Sequence, residues 1–296
     1  MIVADLLQDV PVWPSTLSRL EKHSHSFKDK EVVVTGAAGS IGYALATFLA
    51  EAGAKVTGVD HNELEVSKHV GKDQISWELD DFVHFSIPPQ TEFIFHCAAY
   101  KHVDLSARFE KAFTENNFNK TVKFVDQARR VCPMHTKLVV VSTDKAAGNS
   151  VLGRSKRDAE QCVLAHRGNK YTAIRLVNVA RSRGSVLERW DQSLHPWVCP
   201  AHVERYWMTM KDAICAILDA AFLTRGVYTV QDVPLYNMGD LAQVYENMTG
   251  KRIKRLPELR VGESDREALI GPDEEMVTVL PHIAKIERGN SGKLTS

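Results

Sequence analysis

The stretch Glu31-Val-Val-Val-Thr-Gly-Ala-Ala-Gly-Ser-Ile-Gly42 sets an apolar run directly before three glycines spaced G-x-x-G-x-x-G. The run Glu31–Thr35 reads as a buried strand. From Ser40 to Ala52, the residues Ile41, Leu45, Phe48, Leu49 and Ala52 recur on one helical face, and Gly53 stands at the stop position. The glycines therefore join a strand to a helix. Such a join makes a tight turn and lets a pyrophosphate approach backbone N–H groups at a helix N-terminus. A glycine pattern alone is weak evidence, but here the next predicted strand, Lys55–Asp60, ends in a carboxylate where a ribose-binding acid belongs. A carboxylate there bonds both ribose hydroxyls and repels a 2′-phosphate, which favours NAD over NADP. Gly36, Gly39, Ser40, Ile41, Gly42 and Asp60 are accordingly the expected cofactor residues. Asp80, after a weaker strand at Ile75–Leu79, either closes over the adenine end or is a solvated turn acid.

The alternation continues outward. Glu92–Cys97 is a further strand, Val103–Val131 is mostly helical, the run Lys137–Lys145 is a strand, a helix spans about Ser150 to Arg167, and Tyr171–Val179 is the sixth strand. This order predicts an α/β fold: a Rossmann-like doubly wound parallel sheet with a smaller C-terminal substrate lobe. Residues 1–28 form a polar lead-in outside the sheet, 29–178 the NAD-binding domain, and 179–296 the lobe, partly returning to the main domain. Up to about Arg205 the lobe looks loop-rich, and Met210–Leu223 and Gly239–Met248 read as later helices.

A chain of 296 residues, 44% hydrophobic, holds a substantial core. Lys+Arg and Asp+Glu are both 37, so no global basic field exists to hold nucleic acid or an anionic membrane. Five scattered cysteines suggest no disulfide framework and fit a reducing cytosol. The first residues lack the features of a signal peptide, and no apolar stretch approaches the roughly 20 residues of a membrane span. A cytoplasmic location is the expectation.

The run Lys137-Leu-Val-Val-Val-Ser-Thr-Asp-Lys145 ends in an acid beside an amine. The carboxyl end of a strand in an open α/β sheet is where ligands bind, and Asp144 with Lys145 supplies a proton donor and acceptor together. NAD enzymes of this architecture often place Tyr-x-x-x-Lys on the next helix, the lysine holding the nicotinamide ribose and lowering the tyrosine pKa. In Leu152-Gly-Arg-Ser-Lys156 the lysine is present and leucine, which exchanges no proton, takes the tyrosine position. His195, Cys199 and His202 lack the paired spacing of a zinc site, so no metal is expected. His23 and His25 are expected to be solvated.

Ala98-Ala-Tyr-Lys-His-Val103, Ser142-Thr-Asp-Lys-Ala146, Ser182-Arg-Gly-Ser-Val186 and Arg205-Tyr-Trp-Met-Thr209 resemble, in that order, the nucleotide-sugar 4,6-dehydratases of capsule, O-antigen and protein-glycosylation pathways, within the extended short-chain dehydrogenase/reductase superfamily. Asp5-Leu-Leu and Pro11-Val look like the segment before the catalytic domain of the membrane-anchored members, and Arg260-Val-Gly-Glu263 with Glu267 and Leu269 is similar to an Arg-Pro-Gly-Glu element. Members with methionine in the tyrosine position make Leu152 similar in kind. The resemblance implies an internal redox dehydration, with UDP-N-acetylglucosamine or a close analogue as substrate. In that reading NAD takes hydride from C4, Lys145 removes the C5 proton, Asp144 protonates the departing C6 hydroxyl, and hydride returns to C6. These roles require a depressed Lys145 pKa and a raised Asp144 pKa. Thr143 is placed on the C4 oxygen and Lys156 on the nicotinamide ribose, Ala98 and Ala99 line the cofactor, and Lys101 and His102 border sugar and nicotinamide. Asn117 is either a substrate neighbour or a structural helix asparagine. Asn178, Arg183, Ser185, Arg205 and Arg260 are candidates for diphosphate and base contacts. Self-association is a further expectation of the resemblance.

The chain departs from such relatives by short segments between Asp60 and Glu92 and between Val186 and Arg205, and by Val177 where glycine is frequent. A nucleotide-sugar epimerase and a catalytically silent NAD or nucleotide-sugar binder therefore remain alternatives.

Overall fold

The computed structural model describes residues 8–165, 170–198, 200–259 and 263–288. The chain-order elements that frame the site are α1 (Thr16–Phe27), β1 (Glu31–Thr35), α2 (Ser40–Glu51), β2 (Lys55–Asp60), the one-turn α3 (Glu63–Val66), β3 (Ile75–Leu79) and β4 (Phe93–His96). Next come α4 (Val103–Arg108), α5 (Glu110–Thr114), a π-turn at Glu115–Asn119, α6 (Lys120–Val131), β5 (Lys137–Thr143), a 3-10 turn at Asp144–Ala147, α7 (Val151–Ala165) and β6 (Lys170–Leu176). The second half holds β7 (Asn178–Val179), α8 (Val186–Gln192), β8 (Trp197–Val198), β9 (Glu204–Met208), α9 (Met210–Ala220), β10 (Gly226–Val230), β11 (Leu235–Asn237), α10 (Met238–Thr249), β12 (Lys254–Arg255), β13 (Glu274–Leu280) and β14 (Ile283–Arg288).

Nine strands form one sheet in the order β13-β14-β10-β6-β5-β4-β1-β2-β3. From β3 to β10 all pairings are parallel, whereas β14 and β13 close the far edge antiparallel. The order reverses between β1 and β4, which opens a crevice at the carboxyl ends of these strands. Apolar strand residues alternate between the two faces although the runs look continuous. Val32, Val34, Val139 and Val141 join one buried cluster, while Val33, Leu138 and Val140 join the other with Phe124 and Val125 of α6. A fully buried parallel strand needs apolar side chains on both faces, which is why β1 and β5 carry valine runs.

The lead-in departs from its expected solvation. Trp13, Leu20 and Phe27 belong to the main core cluster, and Phe27 meets Phe93 at a ring distance of 4.8 Å. Asp212 on α9 accepts from the Val12 amide (2.7 Å) and the Thr16 hydroxyl (2.5 Å), while Asp219 pairs with Arg19 and lies 2.7 Å from His23 Nε2. His23 is therefore buried rather than solvated, and burial, then Arg19 and Lys22, push its pKa down to about 4. Leu20, His23 and Phe27 fall on one helical face, so a polar-looking stretch still presents a core-facing stripe. His25 is exposed, as expected.

The predicted strand Tyr171–Val179 divides. Leu176 ends β6 in the main sheet, and Asn178 starts β7, which pairs with β9 in a three-stranded sheet ordered β11-β9-β7. The chain thus crosses from sheet to lobe at Val177. The lobe has its own core of Trp190, Val198, Val203, Trp207, Leu241 and Tyr245, and α8 gives helical order to part of the expected loop region. The antiparallel β13–β14 hairpin was not expected, although a return to the main domain was. His202 faces Asp265 at the surface, 2.9 Å away, and Cys199 lies outside the described residues.

Candidate active site

A cavity of about 1060 Å³ runs along the crevice from the glycine turn to the lobe. Gly36, Gly39, Ser40, Ile41, Gly42, Asp60, Asp80, Ala98 and Ala99 line one end. Gly36 adopts φ +66°, and a Cβ there would meet the Ala98 nitrogen at 2.7 Å; a Cβ on Gly42 would fall 2.1 Å from the Gly36 carbonyl oxygen. The turn is therefore glycine-dependent for both conformation and space. The Asp60 carboxylate accepts from the Ala38 and Asn62 amides, both at 3.0 Å, and so stands over the turn. The Asp80 carboxylate caps the next amide, Asp81, at 2.7 Å, while the residue still lines the cavity. Glycines, helix N-terminus and acid form a cradle suited to a dinucleotide.

Beneath the middle of the cavity, α7 places Leu152 and Lys156 one turn apart and buried. Lys156 Nζ donates to the Val141 carbonyl at 2.6 Å. Burial lowers its pKa to about 8 against the opposing pull of Glu160 and Cys97. His96 is wedged between Thr35 (2.7 Å) and Thr121 (2.9 Å), and burial, then Lys156, holds it neutral with a pKa of about 3.

The catalytic candidates converge where β5 ends. Thr143 donates to Asp144 Oδ1 at 2.9 Å, and its hydroxyl accepts from the Lys145 amide at 3.4 Å, starting the 3-10 turn that swings Asp144 and Lys145 toward the lobe. Lys145 Nζ lies 3.3 Å from Asp144 Oδ1, 2.8 Å from Glu267 Oε1 and 3.4 Å from Asn178 Oδ1. Burial, then the charge of Glu267, raises the Asp144 pKa to about 7, with Lys145 pulling the other way. Asp144 Oδ2 is buried without a donor, and the Glu267 carboxyl stands within hydrogen-bonding reach, so a proton held on Asp144 satisfies both groups.

Lys145 departs from expectation. Burial alone lowers its pKa, but Asp144 and Glu267 outweigh burial and leave the amine above its ordinary value, hence an ammonium. Burial raises the Glu267 carboxyl, but Lys145 and Arg205 outweigh it, so Glu267 titrates below the usual range. Glu267 is the principal residue missed as a site group by sequence reasoning. Its one signal was a position within the element that begins at Arg260, and nothing in local spacing tied it to β5.

The remaining candidates separate into cavity walls and supports. Asn178 donates to the Tyr206 carbonyl (2.9 Å) and Glu267 Oε2 (2.8 Å), so its amide orients the acid and amine. Arg205 lies 3.4 Å from Glu267 and donates to the Glu204 and Asp265 carbonyls. Ser185 caps α8 by accepting from the Glu188 amide at 3.3 Å while lining the cavity. Lys101, whose pKa burial lowers, donates to the Arg183 carbonyl, and His102 packs against Gly184. Asn117, in the π-turn, bonds the Tyr100 amide (2.8 Å), the Tyr100 carbonyl (3.0 Å) and Ser155 (3.2 Å), so its polar atoms hold the post-β4 loop. Arg183 faces the glycine turn, donating to Ala38 O at 3.2 Å. Arg260 lies outside the described residues. Among the described residues, no helix is long and apolar enough to cross a membrane.

The probable polysaccharide biosynthesis protein EpsC of Bacillus subtilis is 28% identical over 318 aligned residues, covering 97% of this chain and 52% of that protein. The capsular polysaccharide biosynthesis protein CapD of Staphylococcus aureus is 27% identical, covering 85% of this chain and 47% of its own length. The chain thus spans about half the length of these curated relatives. Among solved structures, Pen from Bacillus thuringiensis superposes with a TM-score of 0.77 at 21% identity, covering 90% of this chain and 89% of that one. DesIV, a dTDP-glucose 4,6-dehydratase from Streptomyces venezuelae solved with NAD, superposes with a TM-score of 0.71 at 19% identity, covering 81% and 88%. At such identities these superpositions establish a shared Rossmann-like fold. A model of one family, described as polysaccharide biosynthesis protein, matches residues 32–287, from the first strand to the last, and the chain belongs to that family.

Proposed function

We propose that the protein is an NAD-dependent nucleotide-sugar 4,6-dehydratase acting on UDP-N-acetylglucosamine or a close analogue, a lyase of polysaccharide biosynthesis. The observation that carries this reading is the buried Asp144 carboxyl, raised to about 7 beside Thr143, Lys145 and Glu267 in the same cavity as the glycine turn. A carboxyl that titrates near neutrality both takes and gives a proton during turnover. Bound NAD supplies a hydride acceptor for C4 that returns the hydride to C6.

The side chains account for the protons. With Leu152 in the tyrosine position, the C4 hydroxyl proton passes through the Thr143 hydroxyl to the ionised form of Asp144, which is populated alongside the protonated form near neutrality and to which that hydroxyl is already bonded. Asp144 then delivers this proton to the departing C6 hydroxyl, which leaves as water. Lys145 takes the C5 proton and later returns it to C5. Because Lys145 rests as an ammonium paired with the Glu267 carboxylate 2.8 Å away, it serves as base only after substrate has parted that pair and the ammonium proton has left to solvent. The sugar loses one water, and the cofactor is regenerated. Lys156 holds the nicotinamide ribose, while Lys101 and His102 border the sugar.

Incubating the purified protein with UDP-N-acetylglucosamine and NAD, then weighing products by mass spectrometry, tests this function. Loss of one water supports the dehydratase, an isomer of unchanged mass indicates an epimerase, and no product with NAD retained indicates a silent binder. Lys145→Ala is expected to abolish turnover while NAD binding persists.

A further inference from the structure

The turn Ser182–Gly184 lines the cavity and makes contacts on two sides. On one side, the Arg183 amide donates to Ser40 Oγ at 2.7 Å, and its guanidinium reaches Ala38 O at 3.2 Å and Glu65 Oε2 at 2.8 Å. On the other, the Arg183 carbonyl accepts from Lys101, and Gly184, at φ +71°, packs on His102. A segment that belongs to the lobe is therefore stitched to the glycine turn, to α3 and to the loop after β4. Glu65 anchors the arginine from α3, which Asn62 caps by accepting from the Glu65 amide at 3.3 Å.

We propose that Arg183, anchored by Glu65, is a clamp over the dinucleotide site that controls the entry and exit of the cofactor. The proposal rests on the reading of the glycine turn as an NAD site. A dinucleotide whose diphosphate sits at the N-terminus of α2 has Ser40 beside it, and Ser40 is the residue to which the clamp is bonded. In a clamp of this kind the contacts to Ser40, Ala38 and Glu65 part when the cofactor passes on that side. The guanidinium suits this task because its Nη1 pairs in charge with the Glu65 carboxylate while donating to the Ala38 carbonyl, and the group keeps its charge near a diphosphate. A reaction that returns its hydride has no need to exchange cofactor at each turnover, so a closed clamp costs the cycle nothing.

The test measures release of the fluorescent analogue etheno-NAD by stopped flow, chased with unlabelled NAD, with folding checked by circular dichroism. Arg183→Ala is expected to speed release by about tenfold or more, the loss of charge-assisted bonds, and Arg183→Lys to give an intermediate rate. Glu65→Gln frees the anchor without removing the arginine. It is expected to speed both association and release several-fold while changing Kd by no more than about twofold. If Arg183 served only as a phosphate ligand, Glu65→Gln would release it toward the diphosphate and slow dissociation, which overturns the clamp. Normal binding with unchanged release in Arg183→Ala also overturns it and leaves the proposed function standing. Failure of the unaltered protein to bind the analogue overturns both.

Discussion

Replacing Asp144 with Asn isolates the ionisation on which the proposed chemistry depends. The carboxyl titrates at about 7 in the folded chain against 3.8 ordinarily, because it is buried and faces Glu267. Between those values the folded chain holds a proton that the unfolded chain has released. The stability contributed by this group is thus fully present below pH 3.8 and is lost as the pH rises through 7. The slope is about 1.4 kcal/mol per pH unit, so the loss between pH 5 and pH 7 is about 3 kcal/mol, with little added by pH 8. The amide of Asp144→Asn keeps the shape and cannot ionise, so its stability lacks this slope. Urea unfolding of both proteins at pH 5 and pH 8 is expected to show the variant gaining about 3 kcal/mol on the parent over that interval, while turnover in the proposed dehydration is lost. Equal stability changes in the two proteins would refute the raised carboxyl, and with it the proton-carrying role of Asp144.

Gly42→Ala places a methyl group 2.1 Å from the Gly36 carbonyl oxygen, so etheno-NAD binding should disappear at a stability cost of about 1–3 kcal/mol; fluorescence titration and urea unfolding check this, and full binding would contradict the close turn. Arg175, buried between Glu160 (2.8 Å) and Glu274 (2.6 Å), holds two carboxylates together, so Arg175→Met should destabilise by about 3–5 kcal/mol at pH 8. The same variant should recover stability as the pH falls and the abandoned carboxylates protonate, and a pH-independent deficit in urea melts would refute the charge argument. Trp13→Ala should cost about 3–5 kcal/mol and expose α1 to protease, because Trp13 is 1% exposed and stacks on His282; a variant as stable as the parent would show that the lead-in is peripheral.

The readable parts of the fold were those in which neighbouring residues in the chain share a job. Parallel strands buried on both faces must be apolar throughout, so the valines of β1 and β5 declared themselves. The tight turn between β1 and α2 forces glycine at Gly36 and Gly42. The acid and amine after β5 are adjacent in the chain, so Asp144 and Lys145 could be named as a pair. The lead-in misled because Leu20, His23 and Phe27 are separated by polar residues, and the acids that hold it, Asp212 and Asp219, come from α9. Polarity along the chain hid a stripe that only the helix assembles.

The amino-acid order by itself determined the doubly wound α/β architecture, the glycine turn with its acid, and the strand end that carries the candidate chemistry, because each is set by backbone conformation and side chains within a few positions of one another. Tertiary structure decided the protonation of that site. Glu267 arrives from the far end of the chain to raise Asp144 and hold Lys145 as an ammonium, and Arg183 turns from the lobe toward the glycine turn. Charge–charge energies depend on distance and burial, and neither quantity exists until the sheet and the lobe have closed on each other.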